Sequence, residues 1–377
     1  MENFQVFNPT SLHFGKDVTK KLQDTVLNYG NNVMLIYGKG SIVKNGIYDK
    51  IKAQLNNVKI TEYNGIKPNP VVDDVNKAVL VGIENKVEVI VAVGGGSVID
   101  SAKIISLCIP EKLDAWDVMK NIAKPEKSIP LIAVLTIAAT GTEMNPYAVL
   151  QNHETYEKIG YGNELIFPKH SFLDPEFTYS VPKNHTAYGI TDLIAHSLEA
   201  YFGFGDATLS DRFTTEIIKE AIYYGPLLLN DLKNYDYRAK IMWAATCALN
   251  GLTSYGRTSE DWGAHDIGHI LSFLYDIPHG ATLSIVYPAW LKLHKDRIPE
   301  RIIKLGNQLF NINSIDETIN KLKDFFISIN CPVKLSEIGI GKDKKNEIID
   351  LMNKNKVNGF NHKLSSEDYE MLVDFMY

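Results

Sequence analysis

The sequence predicts an α/β domain built on a doubly wound parallel sheet, followed by an all-α domain. Three observations carry this. In the first half, short apolar, β-branched runs end on glycines, and helical stretches separate them. Beyond Pro182 strand-like runs nearly vanish, and long segments of helical period follow one another. The 377 residues suffice for two or three domains of about 150 residues each. We set the domains at 1–181 and 182–377.

In order along the chain, Val33-Met34-Leu35-Ile36-Tyr37 reads as a strand that stops at Gly38-Lys39-Gly40. Residues 42–55 read as a helix, and so do residues 72–84. Residues 87–93 (VEVIVAV) form a second strand ending at three glycines, and residues 130–135 (PLIAVL) repeat the pattern. Near-continuous apolar strands suit a parallel sheet covered on both faces, with a ligand at the carboxyl ends of the strands. In the second half, helices are expected over residues 186–201, 210–228, 238–252, 259–274 and 281–293. The tail from residue 336 is more polar, yet Leu372, Val373, Phe375 and Met376 allow it to dock as a helix.

Composition narrows the function. Hydrophobic residues make up 45% and charged residues 22%, as in an ordinary water-soluble globular protein. A net charge of −6 leaves no electrostatic footprint for nucleic acid or an anionic membrane. No apolar run is long enough to span a bilayer. The first residues lack a basic segment followed by an apolar one, so the expected compartment is the cytoplasm. Cys108, Cys247 and Cys331 are widely spaced, which argues against a disulfide framework and against a cysteine zinc site. Cys108 and Cys247 sit among apolar neighbours, as buried thiols do.

The segment from Val91 to Lys103 (VAVGGGSVIDSAK) runs from a strand through Gly94, Gly95 and Gly96 into a helix. Backbone without Cβ atoms can approach a pyrophosphate closely, and a helix N-terminus offers N–H groups and a positive dipole end. Ser97 adds a hydroxyl donor. The motif is not GxGxxG, so the competing reading is a glycine-rich turn with Ser97 as helix cap. A second cluster, Gly38-Lys39-Gly40-Ser41, closes the first strand, where the adenosine ribose of a dinucleotide lies in Rossmann-like sites. No carboxylate stands there to repel a 2′-phosphate, and Lys39 can pair with one, which points toward NADP(H). Otherwise Lys39 is a solvated turn residue. Residues 136–143 (TIAATGTE) follow the third strand, and their hydroxyls and small side chains suit packing against a nicotinamide ribose or an ordinary capped turn.

Asp192 and His196 are spaced i, i+4, one turn apart on a helix face, with Glu199 near that face as a competing ligand. His265 and His269 repeat the spacing, and Pro278-His279-Gly280 follows, where Gly280 would let the chain turn tightly. Taken alone, an Asp-x3-His pair is a solvated face more often than a site. Histidines among small and apolar residues are less readily explained by solvation, and neutral imidazoles suit iron or zinc. Besides Glu199, five side chains thus compete for about four ligand positions. The other histidines, at positions 13, 153, 170, 185, 294 and 362, have no partner at ligand spacing and read as structural or exposed.

With these motifs in view, the chain resembles the iron-containing (group III) alcohol dehydrogenases. The likeness is to the butanol dehydrogenase-like branch that includes NADPH-dependent aldehyde reductases. It covers almost the whole chain: Phe7-Asn8-Pro9-Thr10 with Phe14-Gly15, YGKGS from Tyr37, GIKPNP from Gly65, GGGSVIDSAK from Gly94, ATGTEMN from Ala139, GITDLIAHSLEAY from Gly189, and the histidine segment through Gly280. The resemblance implies metal ligation by Asp192, His196, His265 and His279. His269 is left outside the ligand set, near nicotinamide and substrate. Gly94, Gly95, Gly96 and Ser97 would hold the pyrophosphate. Gly38, Ser41, Asn69, Thr136, Asn145 and Lys158 would line the rest of the cofactor site, and Lys39, Asp100 and Thr140 complete the expected set. Lys39 stands where this branch often has glycine. A homodimer is also implied.

The expected chemistry is hydride transfer between NAD(P)H and a primary alcohol/aldehyde pair such as butanol and butanal. Fe2+ would act as Lewis acid, Zn2+ or Co2+ could substitute, and His269 would relay the proton. Trp262, Phe273 and several alanines suggest an apolar pocket. One rival is a metal- and NAD-dependent lyase resembling dehydroquinate synthase, which would need basic residues near the ligands for a phosphorylated substrate. The other is a non-catalytic nucleotide- or metal-binding sensor.

Overall fold

Six short parallel strands frame the first half of the chain. The computed structural model describes Met1–Tyr377 and separates into two compact units, one of residues 7–181 and one of residues 182–377 together with residues 1–6.

The first unit runs β1 (Ser11–Phe14), α1 (Leu22–Leu27), β2 (Asn32–Gly38), α2 (Ser41–Lys44), α3 (Ile47–Gln54), β3 (Lys59–Ile66), α4 (Val72–Glu84), β4 (Val89–Gly94), α5 (Gly96–Glu111), α6 (Ala115–Met119), β5 (Leu131–Leu135), β6 (Tyr147–Asn152), β7 (Glu157–Gly162) and β8 (His170–Leu173). The sheet order is β1-β8-β5-β4-β2-β3, with every neighbouring pair parallel. Strands β4 and β5 are buried along their whole length, which is why they read as unbroken apolar runs. The chain leaves β2 toward β3 on one side and returns to β4 on the other. The strand order therefore reverses between β2 and β4, where a ligand crevice opens in such sheets.

Three features differ from the sequence expectations. The helix expected over residues 42–55 is two helices, because Gly46 takes a left-handed conformation (φ 80°) between α2 and α3. The edge strands β1 and β3 and the short interior strand β8 were not foreseen; β1 and β3 are half exposed and lack the apolar run that marks the longer interior strands. The antiparallel β6–β7 hairpin lies outside the main sheet and was also missed.

A buried lysine ties this unit together behind the strand ends. Lys103 Nζ, on α5, donates to Thr142 Oγ1 (2.8 Å), Asn145 O (2.9 Å), Asn145 Oδ1 (3.0 Å) and Tyr147 O (2.7 Å). Asp100, one turn earlier, accepts from Thr142 Oγ1 (2.6 Å) and from the Val149 amide (3.0 Å). Burial pushes Lys103 down to about 7, and the nearby Asp100 and Glu143 carboxyls pull it back up. Together Asp100 and Lys103 pin the loop after β5 and the start of β6 onto α5.

The second unit is helical: α7 (Lys183–Tyr201), α8 (Thr208–Asn230), α9 (Tyr235–Ala248), α10 (Gly263–Tyr275), α11 (His279–His294), α12 (Pro299–Phe310), α13 (Ile315–Ser328), α14 (Lys345–Asn355) and α15 (Ser366–Met376). Its strand-like pairing is the isolated bridge Phe204–Ser259. In the tail, α15 buries Leu372, Val373 and Met376, as its apolar spacing predicts. No helix of the chain is long and apolar enough to cross a membrane. All three cysteines are free and buried.

Replacing Lys103 by Met takes a buried donor away from four oxygens, Thr142 Oγ1, Asn145 O, Asn145 Oδ1 and Tyr147 O. Lys103→Met is expected to lower the unfolding free energy by about 3–5 kcal/mol, read from urea denaturation.

Candidate metal centre and dinucleotide cradle

On the helical side, Asp192 and His196 lie one turn apart on α7, His265 sits in the first turn of α10, and His279 opens α11. These three helices bring three imidazoles around one carboxylate oxygen. Asp192 Oδ1 lies 3.9 Å from His196 Nε2, 4.0 Å from His265 Nε2 and 3.7 Å from His279 Nε2. Ligand atoms on a tetrahedral ion with bonds of about 2.1 Å stand about 3.4 Å apart, so the spacing is within a few tenths of an ångström of a ligand shell. The candidate ligand atoms of Asp192, His265 and His279 all lie within 4.8 Å of one another. His196 reaches Asp192 and stacks on His265 (ring centroids 4.7 Å), but stands just outside that mutually close group.

The environment suits metal ligation. Burial drives His196 well below the ordinary histidine range and His265 down to about 3, so both rings are neutral at neutral pH. His265 Nε2 is buried without a hydrogen-bond partner, a condition that a cation would relieve. Three nitrogens and one carboxylate suit Fe2+, Zn2+ or Co2+ rather than Mg2+ or Ca2+, which favour all-oxygen shells. Asp192, His196 and His265 are buried, whereas His279 and His269 are partly exposed, so the group opens on the His279–His269 side. The His269 ring is 5.2 Å from that of His279. Trp262 stands beside His265 (5.0 Å) and His196 (5.9 Å), an aromatic wall next to the ligands.

Two sequence expectations need correction. Glu199 is not a competing ligand: its oxygens turn to α10, taking the Trp262 amide (2.7 Å), the His265 amide (3.0 Å) and His265 Nδ1 (2.7 Å). Burial pushes its carboxyl up to about 8 with Asp261 adding to the effect, while the amide donors pull the other way. Gly280 is not a turn residue but the second residue of α11, where a Cβ would overlap the Tyr188 carbonyl oxygen of α7. The glycine sets how closely α11, and with it His279, approaches α7. Of the remaining histidines, His13 and His170 bond each other at 3.0 Å and His294 is buried against Trp290.

In the α/β unit, the predicted cofactor residues gather along the carboxyl edge of the sheet. Tyr37 pairs with Val93 and Gly94 with Leu135, so Gly38, Gly94 and Thr136 leave adjacent strands side by side at the switch point. Gly38 also pairs with Ile66 on β3, just ahead of Asn69. Lys158 Nζ reaches Asn69 Oδ1 at 2.8 Å, joining those two residues. Helix α5 starts at Gly96 with Gly95 as its cap and no side-chain cap, so Ser97 is not the capping residue. An uncapped helix start at the end of β4 fits a pyrophosphate. The glycines also serve the protein's own packing. A Cβ on Gly94 would meet Val98 Cβ at 2.6 Å, and one on Gly96 would meet Thr140 Cγ2 at 2.8 Å. Lys39 is exposed beside Gly38, with Ser41 opening α2. Asp100 and Asn145 turn inward: Asn145 Nδ2 donates to Gly141 O (2.9 Å) and its Oδ1 accepts from Lys103 and the Tyr147 amide, while the Asp100 oxygens accept from Thr142 and Val149. Lys103 itself was missed as the centre of this network; a lysine in an otherwise apolar helix face was the available signal. A surface cavity of about 620 Å³ at residues 296–304 contains none of these residues, and its Arg301 and Lys304 are paired with Asp211.

A parallel sheet with glycines at its switch point, together with a helical unit carrying a three-histidine, one-aspartate group, defines the class: a metal-dependent, nucleotide-linked dehydrogenase. Family comparison agrees. Residues 9–175 match the model "Iron-containing alcohol dehydrogenase" and residues 186–372 the model "Fe-containing alcohol dehydrogenase family, C-terminal". The chain belongs to the iron-containing alcohol dehydrogenase family and is an NAD(P)-dependent alcohol dehydrogenase. It is 40% identical to probable NADH-dependent butanol dehydrogenase 1 of Bacillus subtilis, over 98% of each chain. It is 35% identical to the NADPH-dependent aldehyde reductase YqhD of Escherichia coli, over 90% of each. The crystal structure of NADH-dependent butanol dehydrogenase A from Thermotoga maritima superposes with a TM-score of 0.96 at 36% identity, covering 100% of this chain and 99% of that one.

Gly280→Ala is expected to force α11 away from α7. Overpacking of this kind costs about 1–3 kcal/mol, seen as a lower melting temperature, and the displaced His279 should weaken metal retention on dialysis.

Proposed function

We propose that this enzyme reduces small and medium-chain aldehydes, with butanal the first candidate, to primary alcohols, and runs the reverse oxidation when product accumulates. The observation that carries the reading is the convergence of three imidazole nitrogens on one Asp192 oxygen at 3.7–4.0 Å. In this reading Asp192, His196, His265 and His279 hold the ion, Fe2+ by family resemblance, with Zn2+ or Co2+ able to replace it. When bound, such an ion supplies a Lewis acid for the carbonyl and the reduced nicotinamide supplies the hydride. Neutral, buried His196 and His265 offer lone pairs without competing protons. Trp262 presents an aromatic surface to the alkyl chain. His269, half-buried next to His279, passes a proton to the product oxygen.

Gly94, Gly95, Gly96 and Ser97 take the pyrophosphate at the start of α5. Gly38, Ser41, Asn69, Thr136, Thr140 and Lys158 surround the remaining cofactor, while Asp100 and Asn145 act through the shape of the loop they pin. Lys39, next to a carboxylate-free strand end, supports NADPH as the preferred cofactor, as in the E. coli aldehyde reductase rather than the B. subtilis butanol dehydrogenase. Family resemblance supports a cytoplasmic homodimer. The lyase alternative is not favoured: the relatives across nearly the whole chain are alcohol and aldehyde oxidoreductases.

The deciding experiment is a matrix of Fe2+, Zn2+ and Co2+ reconstitution against NADH and NADPH with butanal, followed at the nicotinamide absorbance band. Turnover with at least one ion and none in the metal-free protein is expected. His279→Ala should lose metal occupancy and turnover together; a metal-replete, active His279→Ala enzyme refutes the ligand assignment. Lys39→Ala should raise the KM for NADPH about tenfold, the equivalent of roughly 1.4 kcal/mol, and leave that for NADH nearly unchanged.

A further inference from the structure

Glu199 lies on the same face of α7 as the candidate ligands: Asp192, His196 and Glu199 are spaced i, i+4 and i+7. It is buried, yet both oxygens are occupied by N–H groups of a different helix. Oε2 accepts from the Trp262 amide at 2.7 Å; Oε1 accepts from the His265 amide at 3.0 Å and lies 2.7 Å from His265 Nδ1. Two consequences follow from the chemistry of these groups. Trp262 in the N-cap position of α10 has no side-chain acceptor; Asp261 Oδ2 takes the Gly263 amide at 3.2 Å, and Glu199 takes the Trp262 and His265 amides from α7. The same carboxyl group holds the imidazole through Oε1. A ring that donates from Nδ1 in its neutral form carries its lone pair on Nε2, the nitrogen 4.0 Å from Asp192 Oδ1. His196 has no such arrangement, since its Nδ1 is buried without a partner.

We propose that Glu199 is a positioning residue of the metal centre: it selects the Nδ1–H tautomer of His265 and locks α10 to α7 so that Nε2 faces the ion. This rests on the ligand assignment proposed above. Glu199 takes no place among the ligands, as the N–H donors occupy both its oxygens. Carboxylate partners of ligating histidines commonly govern metal affinity by one to two orders of magnitude.

The test compares wild type and Glu199→Gln, whose amide keeps one acceptor oxygen and puts an NH2 donor in place of the other. Zn2+ affinity of the metal-free proteins is measured by chelator competition, and the His265 tautomer by 15N NMR of the metal-free wild type. Zn2+ binding by Glu199→Gln about 10–100-fold weaker than wild type, with the His265 proton on Nδ1, is expected. A Glu199→Gln protein that melts earlier but binds Zn2+ like the wild type makes Glu199 a helix cap alone and overturns the proposal. So does a His265 proton found on Nε2, a result that stands even if the variant does not fold. If the wild type binds no Zn2+, the ligand assignment fails instead, and the tautomer measurement still decides the role of Glu199.

Discussion

The architecture of the helical unit depends on one constraint: three imidazole nitrogens must face a single carboxylate oxygen in a dry place. Helices α7, α10 and α11 each contribute to the group, so ligand spacing and helix spacing are the same quantity. Small residues set it. Gly280 lets the start of α11 lie on the α7 backbone at Tyr188, and Gly268 faces Thr282 and Leu283 across the α10–α11 contact. At these crossings a methyl group in the wrong place is felt at the ligands, because close-packed interiors transmit strain rather than absorb it.

The strand-end cradle follows a comparable economy. Its glycines read at first as openings for a phosphate, yet Gly94 and Gly96 are also demanded by Val98 and Thr140. The loop after β5 presses on the start of α5, and Lys103 and Asp100 hold it there from below. A turn built this way keeps its amides in place before any ligand arrives, which limits the entropy lost on binding. The buried lysine is thus part of the cradle although it is remote from its surface.

Much of this was legible in the sequence. The interior strands β2, β4 and β5 announce themselves because both their faces are covered, and helix α4 because its apolar residues recur at helical spacing over thirteen residues. Edge strands β1 and β3 have one open side and only partial burial, so they carry no such pattern. Among the candidate ligands, Asp192 and His196 were legible as an i, i+4 pair, since a helix converts that spacing directly into proximity, and His265 stood out through the same spacing to His269. What pairs with what across helices was not. Glu199 and Asp192 are both acids on one face of α7, and nothing local distinguishes the one that points to the ion site from the one that caps α10. Gly280 likewise owes its identity to Tyr188, ninety-two residues earlier.

The separation of those two acids has an electrostatic consequence. A set of three neutral imidazoles and one carboxylate leaves a divalent ion with one net positive charge. A second carboxylate among the ligands would cancel it and with it most of the pull on a carbonyl oxygen. The chain does hold a second acidic side chain nearby, Glu199, and the structure turns it to N–H groups of α10. Burial works in the same direction. By holding His196 and His265 far below the ordinary histidine range it removes protons as competitors for their nitrogens. The low polarity that makes these rings poor bases therefore leaves them available as ligands at neutral pH, and Asp192 is left as the one formal anion in the set.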